Sequence, residues 1–169
     1  MAVSRFLFGV WLIATPRLFS ADPDKTWALT LDENPVQVAK LLGSPAQTGE
    51  GAPGHFSWYL QIDNEDNHDY SHVLLFRQSD RKLVSLTRNY HEPTLVDALF
   101  PASGTKTYYW QNGTQPRWPV RVHLLKDGER ALIAMGVEKA GQKTDQVLLI
   151  RRSALVSYLP WLAEQLADR

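Results

Sequence analysis

The sequence predicts an α+β protein: an antiparallel sheet with short helices packed on one face, its elements falling into two tandem helix-plus-sheet stretches. Three observations carry this. Stretches such as 55–63 (HFSWYLQID) alternate apolar and polar residues with a period of two, the pattern of a half-buried strand. The tetrapeptides SDRK (79–82) and KDGE (126–129) each separate two such stretches, as hairpin turns do. A brief helix, NPVQVAKLLGSP (34–45), has its start and stop written in.

Taken in order, KTWALTL (25–31) places Trp27, Leu29 and Leu31 on one side of a short strand. In the helix that follows, Asn34 caps the first turn, Pro35 takes the first helical position and Gln37 reaches back to complete a capping box. Val38, Leu41 and Leu42 form its apolar stripe, Gly43 ends it and Pro45 forbids a restart. QTGEGAPG (47–54) reads as a Gly/Pro-rich loop. In the next strand Phe56, Trp58, Leu60 and Ile62 share one face, and Ser57, Tyr59 and Gln61 the other. NEDNHDYS (64–71) is a polar turn, and 72–90 a hairpin around SDRK.

A similar series follows. EPTLVDALFPAS (92–103) reads as a second short helix, with Pro93 in its first turn and Pro101 closing it. KTYYWQNG (106–113) answers the strand at 55–62, residues 118–137 answer the later hairpin with KDGE as the turn, and QVLLIRR (146–152) is a further strand. The spacing between matched features drifts, which fits either an old duplication or two units alike by chance. The sub-units would be 27–90 and 91–169, within a single domain from residue 22 onwards. The last segment, 153–169, is a helix striped by Leu155, Leu159, Leu162 and Leu166, with Pro160 kinking it or marking a fresh start. Its polar face offers Glu164, Gln165 and Asp168 rather than a row of lysines, which suits packing on the sheet over lying on a membrane.

Composition narrows the function. With 44% apolar and 21% charged residues, the 169-residue chain is ordinary globular material. A formal net charge of zero argues against nucleic-acid binding by bulk electrostatics. The absence of cysteine excludes disulfides, thiolate catalysis, Cys-based zinc and iron–sulfur ligation, and lipid attachment through cysteine. The first 21 residues have the three-part order of a secretory signal peptide: Arg5, an apolar run from Phe6 to Ala14, then a break at Pro16 and the small residues Ser20 and Ala21. Phe19 and Arg17 depart from the usual cleavage end, and an uncleaved N-terminal helix is the alternative. The apolar run is too short for a stable membrane anchor. The expected location is periplasmic or secreted, with no membrane span after cleavage. Asn112-Gly113-Thr114 matches a glycosylation acceptor, which matters only in a eukaryotic secretory pathway.

The run VAKLLGSP, a loop, FSWYLQID, a polar turn and HVLLFRQSDRKLVSL resembles the SmpA/OmlA (BamE-like) outer-membrane assembly lipoproteins, in which a short helix ending in Leu-Gly-x-Pro precedes an aromatic strand and a hairpin. It is similar, too, to the β-lactamase inhibitor proteins, which use such a unit twice in tandem. The resemblance covers residues 32–88 and rests on Val38, Leu41, Leu42, Gly43, Pro45, Trp58 and Tyr59. It implies a fold and a compartment and transfers no functional residue. The chain lacks the lipid-carrying cysteine of the first group and the paired cysteines of the second.

Candidate chemistry is sparse. Asp63, Glu65, Asn67 and Asp69 recur at every second position like the front of a calcium loop. However, His68 occupies the place of the sharp-turn glycine and Leu74 that of the closing glutamate, so the run reads as a solvated hairpin end. His68 and His72 straddle a turn and a strand start, where a four-residue spacing does not bring them together on a metal. No nucleophile elbow, P-loop or dinucleotide fingerprint occurs. Nothing in the sequence draws Asp97, Glu129 and Glu138 together as general acid and base. The expectation is a non-enzyme without metal or cofactor. Its binding residues would be Tyr59, Tyr108, Tyr109, Trp110 and Trp118, rigid aromatics on an uncovered sheet face, unless the C-terminal helix covers that face. The partner would be another envelope or extracellular protein; the alternative is a carbohydrate or small ligand on the same aromatics.

Overall fold

The structure, a computed structural model, describes residues 31–51, 53–62, 70–114, 116–136 and 142–167. The leader, the 25–31 strand apart from Leu31, the acidic run 63–69 and Glu138 therefore lie outside the described residues.

Helix α1 (Pro35–Leu42) opens the architecture, followed by strands β1 (Gln47–Glu50), β2 (His55–Ile62), β3 (Tyr70–Arg77) and β4 (Leu83–Leu95). Then come α2 (Val96–Leu99), β5 (Thr105–Trp110), β6 (Trp118–Leu124), β7 (Arg130–Met135) and β8 (Lys143–Arg151). A 3-10 turn (Arg152–Ala154) leads to α3 (Leu155–Tyr158) and α4 (Pro160–Ala167). The eight strands form one antiparallel sheet in the order β1-β2-β3-β4-β8-β7-β6-β5. It is two four-stranded meanders joined where β4 pairs with β8 through Ser85↔Ile150, Leu86↔Leu149 and their neighbours. Counted outwards from that seam, β5 stands where β1 does and β6 where β2 does. The likeness of 106–113 to 55–62 is thus displaced by one strand from the correspondence that sheet order gives.

Register divides the side chains between two faces. On one, Phe56, Trp58 and Leu60 stand opposite Phe76, Leu74 and His72, and the row continues through Leu86, Leu149 and Leu132. The apolar residues of this row pack with Val38 of α1, Val96 of α2 and Phe100 into the larger core. On the other face Tyr108, Val120, Val122, Ile133, Ala131 and Ile150 meet Leu155, Leu162 and Leu166 from the C-terminal helices. The helices are therefore divided between the faces and not gathered on one. The two short helices that precede a meander share a face, whereas β8 ends with its chain turning the other way. There an apolar patch on β5–β7 accepts the leucine stripe of α3 and α4.

Helix α1 is built as its sequence dictates. Asn34 Oδ1 accepts from the N–H groups of Val36 and Gln37, at 3.0 and 3.1 Å, and Asn34 N donates to Gln37 Oε1 at 2.8 Å. Gly43 takes φ +84° beyond the last turn, a conformation open to glycine without strain. The segment before the helix is fastened to the seam: Arg151 bonds both the Leu31 carbonyl and the Asp32 carboxylate, and Leu83 N donates to Glu33 O at 2.9 Å. Pro160 begins α4 afresh, as a residue with fixed φ and no N–H donor can only at a first turn.

Two further expectations are corrected. The 47–54 loop contains strand β1, invisible to periodicity because QTGE at the sheet edge buries no alternating apolar residue. The second helix is only Val96–Leu99. Pro93 belongs to β4, whose register breaks between Asn89 and Thr94, where a residue lacking a donor does not interrupt the ladder.

Candidate functional site

The five aromatics singled out from the sequence do not form one surface. Tyr59 is 39% exposed on β2, on the face opposite α1. Its ring lies against Gly49 of β1, where an added Cβ would sit 3.2 Å from Tyr59 Cε2, so it shields an edge strand that has no side chain at that point. Five strands separate β2 from β5, a span of roughly 29 Å at normal strand spacing. Tyr108 is buried beneath the C-terminal helices, while its neighbour Tyr109, 54% exposed, points to the opposite face. Trp110 pairs across the ladder with Trp118, and both are half-buried. The alternative weighed from the sequence, a C-terminal helix over the aromatic face, thus describes β5–β8.

What the structure does bring together lies at the outer edge of β5. A cavity of about 550 Å³ is lined by Tyr108, Tyr109, Trp110, Gln111, Arg117 and, from α4, Trp161 and Gln165. The strand sets Trp110 on the α4 side, and helical spacing puts Trp161 and Gln165 on the flank of α4 that overhangs it. Arg117 Nε donates to Gln111 Oε1 at 3.2 Å, which ties together the two ends of the connection between β5 and β6. Two indoles, two amides and a guanidinium therefore face a strand whose outer edge pairs with no other strand among the described residues. Arg117, Trp161 and Gln165 were not foreseen. Trp161 stands beside the leucine stripe in the sequence, and its approach to Trp110 depends on where α4 lands.

The remaining polar groups serve the framework. Arg88 Nε donates to His72 Nε2 at 2.9 Å, so His72 accepts there and carries its proton on Nδ1. Burial, with the Arg88 charge beside it, lowers the His72 pKa to about 4. Asp97 pairs with Arg121 at 3.3 Å, and Glu129 is exposed at the β6–β7 turn. Thr105 Oγ1 donates to the Pro101 carbonyl at 2.6 Å, and His123 Nδ1 lies 3.2 Å from the same oxygen. Among the described residues no three histidine, aspartate or glutamate side chains gather as a metal needs, and no helix is long and apolar enough to cross a membrane.

No protein-family model and no curated protein matches the chain. Among solved structures it is similar to a cysteine-rich secretory protein from Staphylococcus aureus subsp. aureus Mu50, at 8% identity and a TM-score of 0.47, covering 75% of this chain and 44% of that one. An extracellular protein containing an SCP domain from Bacillus anthracis str. Ames is similar at 10% identity and a TM-score of 0.48, covering 75% of this chain and 45% of that one. The chain spans less than half the length of either.

Proposed function

We propose that this is an exported, non-enzymatic binding protein that engages another envelope or extracellular protein. It takes an extended segment of its partner along the β5 edge and seats a side chain against Trp110 and Trp161. The observation that supports this is the coincidence of a strand edge that meets no other strand among the described residues with a cavity lined by indoles and amides. Added-strand recognition uses backbone hydrogen bonds for affinity and an adjoining pocket for selectivity. Export is supported by the leader-like first 21 residues. A second reading, a carbohydrate held in the same cavity, is favoured by Gln111 and Gln165 beside the two indoles, since amides can bond hydroxyls while rings stack on the sugar face.

Panning the full chain against displayed extended peptides and against a glycan array separates the two. The protein reading expects selected peptides to lose at least tenfold in affinity with Trp110→Ala or Trp161→Ala. They should lose as much when N-methylated at alternate residues, which blocks strand pairing. Glycans bound where no peptide is, or peptides indifferent to N-methylation, would overturn it.

A further inference from the structure

A second cavity, of about 450 Å³, opens on the α4 face at the other end of β5. Its floor is Val122, Leu124 and Tyr108, its wall is Leu166 of α4, and Gly104 borders it just before β5. Tyr108, Val122 and Leu166 are buried members of the smaller core, so the floor is continuous with that core. At the rim stand two exposed cations, Lys106 on β5 and Arg152 in the turn after β8. Ion pairs among the described residues join Arg77 to Asp80, Lys82 and Arg151 to Asp32, Arg121 to Asp97 and Arg130 to Asp127. Neither Lys106 nor Arg152 makes an ion pair or side-chain hydrogen bond with any described residue. Two positive charges without an ionic partner among the described residues, at the mouth of an apolar hollow, define the complement of an amphiphile with an anionic head.

From this geometry we infer a binding site for a monocarboxylate with an unbranched alkyl tail. The tail lies on Val122 and Leu124 under Leu166, and the carboxylate reaches Lys106 and Arg152. The volume is within the range usual for small-ligand sites, which pair mostly apolar walls with a few charged groups. From Gly104 to Tyr108 the strand runs about 13 Å, room for an acyl chain of roughly eight to ten carbons. A carboxylate suits the site better than a doubly charged phosphate because α4 brings its C-terminal end, with its partial negative charge, to this side of the cavity. Guanidinium and ammonium groups both bind carboxylates by charge-assisted hydrogen bonds, and burial of the tail on the apolar floor adds to the affinity.

The test is titration of the full chain with decanoate, 1-decanol, decyl phosphate and acetate below their micellar concentrations. Calorimetry and amide shifts of residues 104–108, 122–124 and 166 are the readouts. Decanoate should bind at least tenfold more tightly than decanol or acetate, and more tightly than decyl phosphate. Lys106→Met with Arg152→Met, which keeps the apolar stems, should remove that preference while leaving the unliganded chain no less stable. Decanol binding as well as decanoate, decyl phosphate binding more tightly, or a double variant that retains the preference would each overturn the assignment. Shifts confined to residues remote from the cavity would do the same.

Discussion

The two meanders share one sheet, yet they are finished differently. On the α4 face, β5–β8 lie under the C-terminal helices, with Leu162 fully buried against Val120, Val122 and Ile133. The same face of β2–β4 carries no helix among the described residues: Val73, Leu75 and Thr87 are half-buried, and Tyr59 is exposed. Only the rim of the elbow between α3 and α4 reaches it, through Tyr158 and Leu159, with His55 edge-on to Tyr158 at 5.2 Å. Small polar residues, Ser57 and Ser85, replace the aliphatic rows found under α4. The lesson is that neighbouring strands of one sheet adopt one-layer or two-layer chemistry according to where the chain next sends a helix.

The largest effect that can break this comparison is a truncation beneath α4. Leu162→Ala should cost about 2–5 kcal/mol by urea unfolding, the usual range for a buried leucine, whereas Leu75→Ala on the opposite meander should cost under about 1.5 kcal/mol because its site is already half open. Equal losses would mean that the β2–β4 face is covered in solution.

Next comes acid. Unfolded, His72 titrates near 6.5; folded, near 4. Between those values the unfolded chain binds more protons, so the stability linked to neutral His72 is full above pH 6.5 and drains as the pH falls towards 4. At 1.36 kcal/mol per unit it amounts to at most about 3 kcal/mol. His72→Gln, which still offers Arg88 an acceptor, should flatten the stability profile in that window. In the other meander burial pushes the Asp127 carboxyl up, but hydrogen bonds from the Arg130 side chain and from the Glu129 and Arg130 backbone outweigh it and hold the pKa below 3.8. Its contribution is therefore kept until the pH falls below that value. The β1–β4 meander should lose amide protection first on acidification, as hydrogen exchange read residue by residue will show.

Smaller effects sharpen the picture at α1 and β1. Asn34→Ala removes the acceptor of two helix N–H groups and should cost about 1 kcal/mol in thermal or urea unfolding. Gly49→Ala pushes on the Tyr59 ring, which can swing outwards into solvent, and should cost under about 1 kcal/mol. Tyr59→Ala combined with it should bring the loss no higher than that of Tyr59→Ala alone.

Local chemistry was legible and placement was not. The capping box of α1, the SDRK and KDGE turns, the face shared by Phe56, Trp58 and Leu60, and the new start at Pro160 each depend on residues within a few positions of one another. The sequence accordingly states them. Strand β1 was hidden because an exposed edge strand needs no apolar alternation, and α2 was overdrawn because Pro93 fits a strand irregularity as well as a helix start. The candidate site was half legible. Tyr108, Tyr109 and Trp110 do line a cavity, but their companions Trp161, Gln165 and Arg117 arrive from elements whose docking no local pattern encodes. Tyr59 was grouped with them as an outward aromatic on an alternating strand, across a distance that sheet order sets.

The seam between β4 and β8 has a temporal consequence. Ser85 finds its partner in Ile150, so a nascent chain leaving the ribosome can zip the first meander but must extrude the whole second one before the two can join. At about 5–20 residues per second, β4 stays a raw border for several seconds, open to any neighbouring chain, and the closing of that long loop is the step that should govern how fast the protein matures.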